Sequence, residues 1–128
     1  MAPFEQPIGA DLILRTVRDE RDVERFAAFH REWVSAAEGI SCAHLLRYHP
    51  EICFDDFLLV EDAQTGQMVS TLCLIPWQVC FAGLGLRAAM LEMVLTHPDY
   101  RQRGLVRLQI ERFHRMVEER GFDLSIIE

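Results

Sequence analysis

The sequence has no lysine, no closely spaced cysteine pair and no apolar run long enough to cross a membrane. Its 13 basic residues are all arginine, and 20 acidic residues outnumber them, which leaves a net charge of -7. Binding to nucleic acid or to an anionic membrane requires a basic face, so neither partner is expected. An acidic surface suits a cationic substrate, such as an amine.

The N-terminal residues 1–10 lack the basic and apolar segments of a secretion signal. We therefore expect a flexible leader over this stretch and a cytoplasmic protein. Without secretion, the four cysteines are expected to be free, buried thiols. These cysteines are Cys42, Cys53, Cys73 and Cys80.

Two cysteines and two histidines, which are common metal ligands, fall within one short segment, namely Cys42, His44, His49 and Cys53. Structural zinc sites usually begin with a tighter cysteine pair. We therefore expect no metal.

The length of the chain and its hydrophobic content, half of all residues, suit a single domain with one core, predicted over residues 11–128. Hydrophobic periodicity predicts that this domain is mixed α/β (α+β). The predicted order is β-α-(α)-β-β-β-α-β. His30 lies on the apolar stripe of the first helix, where a core or boundary histidine is expected. Gly39 is expected to break the helical region, and Pro76 to interrupt a strand. The predicted strands are 11–17, 56–62, 68–75, 86–96 and 122–127. The predicted helices are 20–36, 42–48 and a third that starts at about Gly104 and ends before Gly121, a natural C′ residue.

The segment Met90–Val106 carries the strongest functional pattern. An apolar strand ends before Pro98, and a helix begins near Gly104. The first turn of a helix offers free backbone N–H groups and the positive end of a dipole, which together bind anions. Three arginines, Arg101, Arg103 and Arg107, cluster at this point. The pattern predicts a phosphate cradle.

The run from Thr96 to Val106, Thr-His-Pro-Asp-Tyr-Arg-Gln-Arg-Gly-Leu-Val, resembles motif A of the GNAT N-acetyltransferase superfamily. Arg101 matches the first motif position and Gly104 the central glycine, whereas Val106 departs from the usual Gly or Ala. The resemblance implies that the loop holds the pyrophosphate of acetyl-CoA and that the preceding strand pairs with its pantetheine arm. The implied cofactor-binding residues are Val94, Leu95, Thr96, Arg101, Gln102, Arg103, Gly104, Leu105, Val106 and Arg107.

The same resemblance implies a GNAT-like mixed sheet, with antiparallel strands followed by a parallel βαβ unit. Members of the family continue with another helix and two strands beyond the fifth strand. We therefore expect a truncated domain whose exposed fifth strand recruits a second copy, giving a homodimer or a higher association.

The resemblance also implies acetyl transfer to a primary amine on a small molecule or peptide. Glu92, a charged residue in an apolar strand, is the candidate base, although a solvent-facing or ion-paired residue is the alternative. Glu128 is a second candidate carboxylate. Trp33 and Tyr48 are expected to line the acceptor pocket or to belong to the core. The family's usual acid, a Tyr beyond the fifth strand, has no counterpart in these residues.

Two alternatives to an enzyme remain open at this point. One is a module that binds CoA or acyl-CoA without catalysis, and the other is a structural fragment that associates with a missing half.

Overall fold

The computed structural model describes residues 4–127, so Glu128 lies outside the described residues. The helices and strands in chain order are β1 (Glu5–Ile8), β2 (Leu12–Thr16), α1 (Glu20–Trp33), α2 (Ala36–Tyr48), β3 (Phe57–Asp62), β4 (Met68–Phe81), β5 (Leu84–Thr96), α3 (Leu105–Glu119) and β6 (Leu124–Ile127).

A single six-stranded sheet has its strands in the same order as the sequence, β1 to β6. Neighbours are antiparallel from β1 to β5, and β5 and β6 are parallel. A parallel pair needs a crossover connection, which α3 supplies. The mixed sheet with a terminal parallel βαβ unit confirms the predicted fold class.

Both faces of the sheet are covered, because residues of β4 alternate between two cores. On one face Leu72 and Leu74 pack with Phe113 of α3. On the other face Cys73 and Ile75 pack with α1 and α2. Among residues 4–127, no helix combines the length and apolar composition needed to cross a lipid bilayer.

The two N-terminal helices begin at capping side chains. The Asp19 carboxylate accepts a hydrogen bond from the Asp22 backbone N–H at 2.9 Å, and the Ser35 hydroxyl accepts one from Glu38 N–H at 3.1 Å. Such caps satisfy N–H groups that have no partner within the helix. The predicted start of α1 at Glu20 is therefore confirmed.

The predicted break at Gly39 is wrong, because α2 begins at Ala36 and contains this glycine. A Cβ at position 39 would lie 2.8 Å from the Ala27 carbonyl oxygen and 2.9 Å from Arg31 Cβ. Gly39 therefore allows α2 to approach α1 closely, and this packing outweighs the low helix propensity of glycine.

Two other local predictions fail. Strand β4 continues through Pro76, which lies opposite Ala89 of β5. Proline has no backbone N–H to donate to a neighbouring strand. The pairing of β4 with β3 ends at Cys73, so no hydrogen bond to β3 is lost at Pro76. The predicted leader also contains a strand, because β1 pairs with β2.

Candidate active site

The loop between β5 and α3 is a compact turn. The His97 ring accepts a hydrogen bond from the Asp99 N–H at 3.1 Å, within a short 3-10 turn over Pro98–Tyr100. The backbone then takes positive φ values at Gln102 (62°) and Gly104 (73°). Glycine adopts this left-handed conformation without a Cβ clash, so Gly104 turns the chain directly into α3.

The N-terminus of α3 has the features of an anion site. Gly104 is its N-cap, and no side chain of the described residues caps the helix. Its first turn contains no acidic residue. The early N–H groups and the helix dipole therefore face a loop that carries arginine.

A cavity of about 170 Å³ opens at this helix end. Its lining includes most of the predicted cofactor residues, so the structure brings that part of the prediction together. The lining residues are Thr96, Tyr100, Arg101, Gln102, Gly104, Leu105, Val106 and Arg107.

Arg103 is placed differently from its predicted companions. Its guanidinium carbon lies 4.9 Å from the centre of the Tyr100 ring, and the Tyr100 hydroxyl donates to Asp62 at 3.0 Å. Hydrogen bonds to the Asp62 carboxylate, with Arg103 nearby, lower the pKa of Asp62. Arg103 is thus an exposed residue that lies over the Tyr100 ring and does not line the cavity.

Strand β5 contains a bulge immediately before the cavity. Thr71 lies opposite Leu95, and Cys73 opposite Glu92, so β5 has one extra residue between these pairs. Met93 within this bulge has a φ of 57°, which is unusual for a residue with a side chain. Val94 and Leu95, both predicted to bind the cofactor, directly follow it. Sequence reasoning missed the bulge, because no glycine marks it.

The candidate base Glu92 lies at the start of this bulge, half-buried and opposite Cys73. Directly opposed residues place their side chains on one face of a sheet, here the face covered by α1 and α2. Burial, and then nearby negative charge that includes Glu92, raises the pKa of the Cys73 thiol. Glu92 therefore lies close enough to the buried Cys73 to influence its thiol.

The predicted pocket aromatics do not come together. Trp33 ends α1, and its ring lies 4.7 Å from His97 in the β5–α3 loop. Tyr48 ends α2, beside Arg47, which pairs with Glu20 in the first turn of α1. The two aromatics therefore lie at opposite ends of the α1–α2 pair. Both are exposed, Trp33 by 40% and Tyr48 by 72%, so neither is a core residue.

The cysteines are free, as predicted, but only Cys42 and Cys73 are buried. Burial, with a smaller effect of Glu38, raises the pKa of Cys42 to about 12, so this thiol is not a ready thiolate ligand. Cys53 and Cys80 are exposed, contrary to expectation. Within residues 4–127, no group of three His, Cys, Asp or Glu side chains is arranged to hold a metal ion.

A family model for the acetyltransferase (GNAT) domain matches residues 16–128. The chain belongs to the GNAT acetyltransferase family. The match covers the bulged strand, the turn and the helix start described above. No curated protein matches the chain in a sequence search.

Solved structures share the fold of this GNAT chain at low sequence identity. An Escherichia coli GNAT family N-acetyltransferase, in complex with CoA, has a TM-score of 0.74 at 20% identity, over 95% of this chain and 64% of that one. Saccharomyces cerevisiae N-myristoyltransferase with bound myristoyl-CoA has a TM-score of 0.79 at 14% identity, over 98% and 32%. A Brucella melitensis ribosomal-protein-alanine N-acetyltransferase has a TM-score of 0.60 at 21% identity, over 93% and 80%.

Proposed function

We propose that this protein is an acetyl-CoA-dependent N-acetyltransferase that acts on a primary amine. The observation that carries the proposal is the uncapped N-terminus of α3, with its left-handed Gly104 and the arginine-bearing cavity beside it. This arrangement suits a pyrophosphate. Family membership and the CoA complex of the E. coli neighbour support the choice of acetyl-CoA.

The residues of the loop would bind and orient the donor. Backbone N–H groups at the start of α3 would bind the pyrophosphate, and the exposed Arg101 and Arg107 would add positive charge around it. The backbone of Val94–Thr96 would hold the pantetheine arm by strand-like hydrogen bonds. The acetyl carbonyl would then lie near the bulge at Met93.

Glu92 would accept the amine proton. As the amine nitrogen bonds to the acetyl carbonyl carbon, the carbon–sulfur bond breaks and the CoA thiolate leaves. An ammonium group cannot attack a carbonyl, so removal of its proton by a carboxylate promotes the reaction. Glu92 lies at the bulge, where the acetyl group would be held.

Gly104→Glu tests the phosphate site. The substitution places a side chain and a negative charge at the helix N-terminus, so we expect CoA affinity to fall at least about tenfold, by loss of about 1.4 kcal/mol of binding free energy. Titration calorimetry with CoA measures this affinity.

Gly121→Glu is the matched control, because Gly121 also has a positive φ (67°) and open space around the position of a Cβ. It follows the other end of α3, at the C-terminal side. Both variants should lose similar stability, on the order of 1–2 kcal/mol, from the strained backbone. Equal CoA affinity in the two variants would remove the helix end from the proposed site.

A further inference from the structure

Three residues from three elements form a hydrogen-bonded chain that ends at the bulge. The His30 ring nitrogen Nε2 of α1 lies 2.8 Å from Thr71 Oγ1 of β4. The same Thr71 oxygen lies 2.9 Å from the Met93 carbonyl oxygen of β5. His30 and Thr71 are both fully buried.

The direction of these bonds follows from counting protons. A carbonyl oxygen only accepts, so the single Thr71 hydroxyl proton is donated to Met93. Thr71 Oγ1 must then accept from His30, which requires the tautomer with a proton on Nε2. The His30 ring also stacks on Phe26, with ring centres 5.0 Å apart and planes 4° from parallel. His30 is thus a fixed donor within a packed core.

The surroundings of the second ring nitrogen of His30, Nδ1, are consistent with a proton on Nε2. Nδ1 is buried and has no hydrogen-bond partner among the described residues. A carboxylate oxygen of Glu38 lies 3.5 Å from Nδ1. Burial lowers the pKa of His30 to about 4, so the ring is neutral near pH 7 and Nδ1 carries no proton.

The Thr71 bond sets the orientation of one peptide group. In a trans peptide the C=O and the following N–H point in opposite directions. Because the Met93 carbonyl points toward Thr71, the Val94 N–H points away from it. The left-handed conformation of Met93 is unfavourable for a residue with a side chain, and the hydrogen bond from Thr71 stabilises it. The pairing of β5 with β6 runs over Ala88–Leu91, so it ends before this peptide.

We propose that Thr71, supported by His30, is a positioning residue that aims the Val94 N–H at the carbonyl oxygen of the acyl donor. This inference rests on the proposed acetyl-CoA-dependent function. A donor held in advance at the site of developing negative charge stabilises an acyl-transfer transition state. Thr71 does not itself contact the substrate; it acts by holding the Met93–Val94 peptide.

The test compares wild type with Thr71→Val, which keeps the branched shape and removes the hydroxyl. Thr71→Ser is the conservative control, because it retains the donor. Isotope-edited infrared spectroscopy of bound acetyl-CoA, labelled at the thioester carbonyl carbon, reports polarisation of that bond. We expect a lowered stretching frequency in wild type and Thr71→Ser, and a return toward the value of free acetyl-CoA in Thr71→Val.

Calorimetry on the same three proteins separates positioning from folding. Free CoA lacks the acyl carbonyl, so its affinity should change less in Thr71→Val than the affinity for acetyl-CoA. The preference for acetyl-CoA over CoA should fall by up to about tenfold, the equivalent of one hydrogen bond. A purely structural role would lower stability and leave both the band and this preference unchanged.

The outcomes distinguish the inference from the proposed function. If wild type binds acetyl-CoA and the band is the same in wild type and Thr71→Val, the positioning role is wrong. If wild type does not bind acetyl-CoA, the proposed function fails and this inference fails with it. If Thr71→Val does not fold, His30→Phe takes its place in the same test, with a smaller expected band shift. His30→Gln retains a donor, so its band should match that of wild type.

Discussion

His30 shows how a single residue is decided by its surroundings. Its place on the apolar stripe of α1 predicted a core or boundary histidine, and its complete burial confirms this. The pattern did not indicate its partner, because Thr71 is 41 residues away in the sequence. Only the packing of α1 on β4 brings the two side chains together.

Burial of His30 predicts a pH dependence of stability. The pKa of His30 is about 4 in the folded protein and about 6.5 when unfolded, so the unfolded chain binds more protons between these values. The stabilisation is therefore complete above about pH 6.5 and falls as the pH drops toward 4, by up to about 3 kcal/mol. Urea unfolding across this range measures it. His30→Gln should flatten the curve, and an unchanged slope in that variant would contradict the assignment.

Glu92 is predicted to act on turnover in a pH-dependent way. Glu92→Gln removes the base and keeps the shape of the side chain. The loss of turnover should be largest at low pH, where most of the amine is protonated, and should shrink toward the pKa of the amine. A thiol-release assay with a panel of small primary amines measures it. Parallel pH profiles for wild type and variant would exclude Glu92 from proton transfer.

At the scale of elements, the errors in the sequence-based prediction came from glycine and proline. Gly39 and Pro76 are local breakers by propensity, yet each lies inside a regular element. Gly39 is compatible with α2 because a neighbouring helix occupies the space of its side chain, and Pro76 is compatible with β4 because one side of the strand needs no donor. At Gly104 and Gly121 no other segment lies against the position of a Cβ, and both glycines mark the ends of α3 as predicted.

Gly39→Ala tests the contact between α1 and α2. On helix propensity alone this change would stabilise the protein by about 0.5–1 kcal/mol. The 2.8 Å approach to the Ala27 carbonyl oxygen predicts the opposite, a loss of about 1–3 kcal/mol. Denaturant unfolding measures the sign. Ala37→Gly, at an exposed site in the same helix, is the control and should cost only the propensity difference.

At the scale of the whole molecule, a buried ion cluster joins three elements. Arg15 of β2 donates to Asp22 of α1 at 2.6 Å and to Glu61 of β3 at 2.8 Å. Burial by itself would raise the pKa of both carboxyls, but the hydrogen bonds and charge of Arg15 lower them below their usual values. The arginine in turn is only 4% exposed at its side chain. The cluster therefore fixes α1 against strands β2 and β3.

Arg15→Met should destabilise the fold strongly, because it leaves two carboxylates partly buried without their main partner. The expected loss is about 3–5 kcal/mol in the free energy of unfolding. Arg47→Met is the control, since Arg47 pairs with the exposed Glu20 and Glu24 and its loss should have a much smaller effect. Thermal unfolding measures the stability of both variants. Comparable losses of stability in Arg15→Met and Arg47→Met would show that burial does not determine how much the Arg15 cluster contributes.

The sequence alone determined the element order from β2 onward, the α3 boundaries and the turn at Gly104. These features follow from signals that are local in the sequence, namely hydrophobic periodicity, a glycine at a positive φ and a proline after a strand. The tertiary structure alone decided the close approach at Gly39, the bulge at Met93 and the separation of Trp33 from Tyr48. Each of these depends on which atoms of distant segments meet, and no local preference encodes that meeting.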